Sequence, residues 1–261
     1  MKKVFLFGLM LLILTGCASQ ISEEEVVNVE EEVVIALIDT GVTTGAINGE
    51  HVLDGYNYVN DSTETSDTVN HGTAIASIIL GSKNADIESY APDSYVVPLV
   101  VMSKNQGKLS SGGAEALTKA IYDSIDTYKA DIINISIGTG FESSDLKEAV
   151  DYAQQKGVLV VSAVGTGVED ETVYYPAAYD SVIAVGSCDE NGVRSSFSQV
   201  GADVLAQGQD LWLASRKGYS FEVKGTSYAT GFVVAKAANI LKDNPEISVD
   251  QLRQEVIDSF D

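Results

Sequence analysis

From position 33 onward, apolar residues follow two alternating patterns along the chain. Short runs rich in β-branched residues predict buried strands at 33–38, 95–101, 131–137, 158–164 and 181–185. Between these runs, residues such as Leu117, Ala120 and Ile121 recur at the spacing of one helical face. Alternating strands and helices are typical of a parallel sheet with crossover helices. The sequence therefore predicts an α/β fold with a central, mostly parallel sheet flanked by helices.

Three further helices are predicted in the second half of the chain. One has an apolar face between positions 146 and 153, and another runs from about 226 to 241. The last begins at Ser248, because Gln251, three residues further on, completes a capping box. No internal repeat is visible, and we expect residues 33–261 to form one domain.

The first 32 residues have a different pattern. Two lysines precede an apolar stretch at positions 4–14, whose 11 residues are too few for a permanent membrane-spanning helix and are typical of an export signal. The Leu14-Thr15-Gly16-Cys17 that follows resembles a bacterial lipobox, which implies cleavage before Cys17 and attachment of lipid to it. Residues 17–32 are strongly acidic and predict a solvated tether.

This reading divides the chain into a lipoprotein signal peptide (1–16), an acidic tether (17–32) and a folded domain (33–261). It places the domain on the extracytoplasmic face of the cell membrane, held by a lipid anchor. The alternative is a conventional or uncleaved signal in which Cys17 has no special role. If Cys17 carries lipid, Cys188 has no partner, so no disulfide framework is expected.

Net charge excludes one broad class of function. Lysine and arginine number 16 against 38 aspartates and glutamates, giving a net charge of −22. A polyanion would be repelled by such a surface, so binding to nucleic acid is not expected.

Side chains with catalytic chemistry lie where three of the predicted elements begin or end. Asp39 ends the first strand, His71 precedes an apolar helix, and Ser227 opens the helix at 226–241. A serine hydroxyl is a weak nucleophile until a histidine takes its proton, and the imidazolium formed needs a carboxylate beside it. The other histidine, His51, lies in a polar loop, so a histidine base would be His71.

These motifs, in the order Asp, His, Ser, resemble those of the subtilisin-like serine proteases. The segments Ala91-Pro92, 133–138 and Tyr175-Pro176 also stand where that family has its landmarks. The resemblance implies a three-layer subtilisin-like fold and serine endopeptidase activity on peptides or proteins. It further implies that Asp39 orients His71, that His71 acts as general base and then acid, and that Ser227 attacks the scissile carbonyl.

The oxyanion position departs from the family pattern. The family has an asparagine after a central strand, and the matching stretch 161–166 ends in Thr166. A threonine hydroxyl can donate one hydrogen bond but reaches less far than an asparagine amide. We therefore expect a slow or narrowly specific peptidase, the alternative being a catalytically impaired lipoprotein that binds peptides. A second departure is Gly231, where the family has proline.

Substrate contacts follow from the same resemblance. An extended peptide would pair with the edges at Ser136-Ile137-Gly138 and Gly107-Lys108-Leu109. The pocket for the P1 side chain would be walled by these two edges and by Ala163-Val164-Gly165, with Tyr174 as its floor where glycine is usual. A large floor residue predicts small P1 side chains. The acidic residues 169–171 either favour basic substrate residues or form a solvated turn.

No cofactor is implied by the motifs, and the domain is expected to be a monomer. Calcium sites are common in the family, and Asn84 and Asp86 lie in one corresponding region. The motif Asp39-Thr40-Gly41 also occurs in aspartic proteases. Those enzymes need two such loops on an all-β fold, and no second Asp-Thr-Gly or Asp-Ser-Gly occurs here.

Overall fold

The computed structural model of the protein describes residues 32–167 and 173–261. The predicted signal peptide, Cys17, the tether up to residue 31 and the acidic residues 169–171 lie outside the described residues. Within the part of the chain that is described, no helix combines the length and apolar character needed to cross a membrane.

A seven-stranded parallel sheet forms the centre of the domain, which confirms the predicted central sheet and adds two short strands to the five that the sequence predicts. The strands are β1 (Val34–Asp39), β2 (Tyr56–Asn57), β3 (Tyr95–Val100), β4 (Met102–Asn105), β5 (Lys108–Ser111), β6 (Ile132–Ile135), β7 (Leu159–Ala163), β8 (Ile183–Cys188), β9 (Val204–Gln207), β10 (Leu211–Ala214) and β11 (Ser220–Val223). The order in the central sheet is β2-β3-β1-β6-β7-β8-β9, and two antiparallel hairpins, β4–β5 and β10–β11, lie outside it.

Helices cover both faces of the sheet and make a three-layer sandwich. The helices are α1 (Gly72–Leu80), α2 (Gly113–Asp126), α3 (Ser144–Gln155), α4 (Thr226–Asp243) and α5 (Val249–Asp258). Helices α1, α4 and α5 pack on one face around Ile35, Leu37 and Val233, while α2 and α3 pack on the other around Ile38 and Ile121. The capping box of Ser248 and Gln251 is present at the start of α5.

Strand boundaries differ from the predictions mainly at β8. The predicted strand begins at 181, but Val182 closes a turn by donating its N–H to the Tyr179 carbonyl. The strand then continues to Cys188, because Gly186 and Ser187 pair with β9. Small and polar residues at this end hide a buried strand from a search for apolar runs.

The topology brings the carboxyl end of β1 to a crevice. Strand β1 lies between β3 and β6, so the chain crosses over in opposite directions on its two sides, which is where open α/β sheets bind ligands. Helices α1 and α4 pack closely beside it, because a Cβ at Gly231 would lie 3.0 Å from Ile78 Cδ1. The absence of a side chain at Gly231 therefore lets the two helices approach, which is a packing reason for glycine at this position.

Candidate active site

Asp39, His71 and Ser227 come from three separate elements and form one hydrogen-bonded chain. The His71 Nδ1 atom lies 2.7 Å from Asp39 Oδ1, and the His71 Nε2 atom lies 2.9 Å from Ser227 Oγ. With the proton on Nδ1, His71 donates to the carboxylate and accepts from the serine hydroxyl. This arrangement can remove the hydroxyl proton as the serine oxygen attacks an electrophile.

The carboxylate of Asp39 is fully buried and held in place by its neighbours. The Thr40 N–H donates to Asp39 Oδ1 at 2.7 Å, the same oxygen that accepts from His71. A Cβ at Gly72 would lie 3.2 Å from Asp39 Oδ1 and 2.3 Å from the Gly41 carbonyl oxygen. Glycine at position 72 is therefore required for the helix behind His71 to approach the aspartate.

Ser227 lies in the first turn of α4, and its backbone is held by hydrogen bonds from two other side chains. Gly225 precedes the helix with φ +155°, and a Cβ there would lie 3.2 Å from Ser227 Oγ. The Thr230 hydroxyl donates to the Ser227 carbonyl at 2.7 Å, and the Ser136 hydroxyl donates to it at 3.2 Å. Ser136 therefore has a second role besides the predicted substrate-binding edge: its hydroxyl holds the backbone of Ser227.

Comparison with known proteins decides the family. The family model described as Peptidase_S8, the subtilase family, matches residues 30–261. The chain belongs to the subtilase family. Its activity class is that of a subtilisin-like serine endopeptidase.

Individual relatives are similar to this subtilase in sequence and in structure over most of its length. Subtilisin DY of Bacillus licheniformis is 32% identical over 225 residues, which are 84% of this chain and 80% of the relative. Among solved structures, Sphericase has a TM-score of 0.74 at 28% identity and covers 85% of this chain and 81% of its own. A cold adapted subtilisin-like serine proteinase has a TM-score of 0.73 at 29% identity, with coverages of 87% and 82%. The subtilisin-like fold is thereby confirmed.

A second buried carboxylate, which the sequence analysis missed, lies beside the hydrogen-bonded Asp39, His71 and Ser227 of this subtilase. Asp67 is 2% exposed; its Oδ1 accepts the Thr40 hydroxyl at 2.9 Å, and its Oδ2 accepts the Thr73 N–H at 3.0 Å. The Thr40 hydroxyl in turn accepts the Gly72 N–H at 2.9 Å. Asp67 therefore ties the residue after Asp39 to the first turn of α1. Its position four residues before the histidine is the one signal that could have drawn attention to it.

Charge and burial act in opposite directions on His71. Burial lowers its pKa, but the charge and hydrogen bond of Asp39 and the charge of Asp67 together raise the pKa above its ordinary value. The Tyr228 ring lies 5.2 Å from the His71 ring and covers part of it. Only a neutral imidazole can take a proton from Ser227, so proton transfer to His71 is expected to fail as the pH drops through this raised pKa.

Replacing Asp67 with asparagine is expected to move the acid limb of the pH–rate profile to lower pH. The substitution removes a negative charge that favours the imidazolium form of His71, so the pKa of His71 falls. The measurement is kcat/KM against pH. Asp54→Asn, which removes an exposed carboxylate, is the matched control and should leave the limb in place. An acid limb that does not move in Asp67→Asn, or moves equally in both variants, contradicts this role of the charge.

Thr166 is exposed just beyond β7, with its hydroxyl directed at the residue before Ser227. Its Oγ1 accepts the Thr226 N–H at 3.2 Å and lies 3.2 Å from Thr226 Oγ1. The one hydroxyl proton of Thr166 therefore has a competing acceptor within the protein.

The Tyr174 side chain lies between two glycine-lined walls. A Cβ at Gly165 would lie 3.1 Å from Tyr174 Cδ2, and a Cβ at Gly138 would lie 3.1 Å from Tyr174 Cβ. The backbone of Tyr174 is fixed by its N–H, which donates to the Val164 carbonyl at 2.9 Å. The tyrosine thus occupies space between the segments predicted to wall the P1 pocket.

The second predicted substrate edge belongs to the β4–β5 hairpin. Gly107 forms its turn with φ +82°, Lys108 pairs with Asn105 in the ladder, and Leu109 is 53% exposed. The hairpin contacts the loop before His71, because the Lys104 N–H donates to Thr68 Oγ1 at 2.7 Å. Ile137, on the other predicted edge, is half-buried against the core.

The predicted calcium region at Asn84 and Asp86 and the cysteine Cys188 make no contact with Asp39, His71 or Ser227 among the hydrogen bonds of the described residues. The Asn84 amide donates to the Gly45 carbonyl at 3.3 Å. Within residues 32–167 and 173–261, no three His, Cys, Asp or Glu side chains are grouped to hold a metal ion, so calcium binding at Asn84 and Asp86 stays a prediction. Cys188 is buried with a free thiol, whose pKa is raised by burial.

Proposed function

We propose that this subtilase hydrolyses peptide bonds with Asp39, His71 and Ser227 as its catalytic residues, at a low rate or with narrow specificity. The observation that carries the proposal is the unbroken hydrogen-bond chain from the Asp39 carboxylate through His71 to the Ser227 hydroxyl. The order of the two hydrogen bonds matches three roles: a carboxylate that orients the histidine, a histidine that acts as base, and a serine that acts as nucleophile.

The reaction follows from the direction of these hydrogen bonds. Ser227 Oγ attacks the scissile carbonyl carbon while His71 Nε2 takes the hydroxyl proton. Asp39 holds the Nδ1–H and stabilises the imidazolium. His71 then returns the proton to the leaving amine, and water attacks the acyl-enzyme by the reverse proton path.

The experiment is digestion of a library of proteins or peptides by the domain of residues 33–261, called the parent domain, and by its Ser227→Ala variant. We expect cuts that are present with the parent domain and absent with the variant, identified by mass spectrometry. A folded parent domain that makes no cuts favours the second candidate, a peptide-binding protein. The observation that favours this candidate is the engagement of the Thr166 hydroxyl with Thr226.

Thr166 and the Ser227 N–H would share stabilisation of the oxyanion. The Ser227 N–H lies in the first turn of α4, where N–H groups are free of helical partners and carry partial positive charge. The Thr166 hydroxyl is the weaker donor, because Thr226 Oγ1 lies 3.2 Å away and either of the two hydroxyls can donate to the other.

Thr166→Asn is expected to raise kcat by about tenfold, with a smaller change in KM. A full side-chain donor at this position is worth about 10²–10³ in turnover, a magnitude known from subtilisin, and threonine supplies part of it. Thr139→Asn, a threonine-to-asparagine change beyond β6, serves as the matched control. An unchanged kcat in Thr166→Asn, with the fold intact, means that the oxyanion donor does not restrict turnover.

The substrate is proposed to carry a small P1 side chain. The support is the position of Tyr174 between Gly138 and Gly165, where a longer P1 side chain would otherwise enter.

The domain is further proposed to act as a monomer held at the extracytoplasmic face of the membrane by lipid on Cys17. The support is the sequence of the export signal and the lipobox-like motif. Cys17→Ser is expected to move the full-length protein from the membrane fraction to the soluble fraction of expressing bacteria. Ser19→Ala, two residues away, should leave it in the membrane. An unchanged distribution of the Cys17→Ser protein contradicts the lipid anchor.

A further inference from the structure

Two hairpins near the cleft carry unpaired positive charge in a strongly acidic protein. Among residues 32–167 and 173–261, four basic side chains on these hairpins have no ion-pair partner. In the full sequence, acidic residues outnumber basic ones 38 to 16. They are Lys104 and Lys108 on β4–β5 and Arg216 and Lys217 at the tip of β10–β11. We call these four residues the basic rim.

Backbone hydrogen bonds fix both hairpins against the loop that leads to His71. The Lys104 N–H donates to Thr68 Oγ1 at 2.7 Å, and the Arg216 N–H donates to Asn70 Oδ1 at 3.1 Å. Thr68 and Asn70 precede His71 by three residues and one residue. The two hairpins that carry the basic rim are therefore both held against the segment that leads directly to His71.

The charge of these two hairpin segments differs in sign from the net charge of the whole protein. Residues 101–113 contain two lysines and no acidic residue, and residues 209–224 contain three basic residues, Asp210 and Glu222. The two segments together have five basic and two acidic side chains, a net charge of +3. Asp67 is the buried acidic residue closest in sequence to Thr68 and Asn70. Its oxygens already accept hydrogen bonds from Thr40 and from backbone N–H groups.

We propose that the basic rim selects peptide substrates with acidic side chains on both sides of the scissile bond. This inference rests on the proposed function of the same site. A carboxylate next to an unpaired lysine or arginine gains a modest attraction, and a cleft of one charge sign also concentrates substrates of the opposite sign. The net charge of −22 and the acidic residues 169–171 act in the opposite direction, so basic flanking residues are the competing specificity.

The test uses three internally quenched peptides that share alanine on both sides of the scissile bond. On each side, the two residues beyond the alanine are both Glu in the first peptide, both Gln in the second and both Lys in the third. We expect kcat/KM to be about tenfold higher for the Glu peptide than for the Gln peptide, with the Lys peptide slowest, and the difference to shrink in 0.5 M salt (an added concentration of roughly this size shortens screening to a few ångströms).

Charge-removing variants assign the preference to the rim. Lys104→Gln combined with Arg216→Gln should bring the Glu and Gln peptides to nearly equal kcat/KM. Lys236→Gln is the matched control, because Lys236 is exposed on α4, nine residues after Ser227, with no ion-pair partner in the described part of the chain. It should keep the preference. Equal rates for Glu and Gln peptides, a faster Lys peptide, or an equal loss in the Lys236→Gln control overturns the proposal.

Binding to the Ser227→Ala variant separates this proposal from the proposed function. Fluorescence anisotropy measures the affinity of the same three peptides for a protein that cannot cleave them. Tighter binding of the Glu peptide supports the basic rim even if the parent domain cleaves none of the peptides. Cleavage of the Gln peptide without tighter binding of the Glu peptide retains the peptidase and rejects the rim.

Discussion

His71→Ala is expected to lower kcat by about 10⁶-fold, a magnitude known from subtilisin for loss of the triad histidine. The histidine accepts from Ser227 Oγ at 2.9 Å, so without it the hydroxyl keeps its proton during attack. KM should change little, because His71 holds the reacting proton rather than the bulk of the peptide. The measurement is kcat and KM on a peptide cleaved by the parent domain.

The other histidine of the chain provides the matched control. His51 stacks on Tyr95 with ring centroids 4.8 Å apart, and its Nδ1 lies 3.2 Å from the Ser94 carbonyl oxygen. His51→Ala removes an imidazole of the same size from a site without a nucleophile and should keep kcat within a few-fold. Retention of most activity by His71→Ala contradicts its assignment as the general base.

Tyr174→Ala is expected to change P1 specificity, raising kcat/KM for peptides with P1 Phe or Leu by about 10–100-fold. Removing the ring opens space between Gly138 and Gly165, where a large apolar P1 side chain can be buried. Full burial of such a side chain is worth about 1.5–3 kcal/mol, which corresponds to this range of rates. Peptides with P1 Ala should change little, since they do not reach the new space.

Tyr90→Ala controls for the loss of a tyrosine elsewhere. Tyr90 is 54% exposed and packs edge-on against Phe232, away from the P1 pocket. This variant should keep the preference of the parent domain for small P1 residues. Efficient cleavage after Phe or Leu by the parent domain itself contradicts the assignment of Tyr174 as a limiting floor.

Much of the central sheet was predictable because its strands are buried on both faces. Runs such as Val34–Asp39 and Leu159–Ala163 are buried throughout and apolar except for Asp39 and Ser162, so they leave a clear signal in the sequence. The β4–β5 and β10–β11 hairpins were not predicted. Their strands have four residues each, and those of β4–β5 are largely exposed, so burial imposes little pattern on them.

The positions of the three predicted triad residues could be read because each lies directly at the end of a strand or the start of a helix. The interactions that hold them could not be read in the same way. Asp67 reaches Thr40 across 27 residues, and Ser136 reaches the Ser227 carbonyl across 91. Such contacts depend on the three-dimensional crossing of α1 and α4 beside β1, which no local pattern in the sequence specifies.

The most direct test of the central claim is covalent labelling of the folded domain with a fluorophosphonate, which reacts with activated serine hydroxyls. We expect one label per molecule, located at Ser227 by peptide mapping, with labelling abolished in Ser227→Ala, strongly slowed in His71→Ala and unchanged in His51→Ala. A correctly folded domain that takes up no label, or takes it up at another serine, contradicts the assignment of Ser227 as a nucleophile activated by His71.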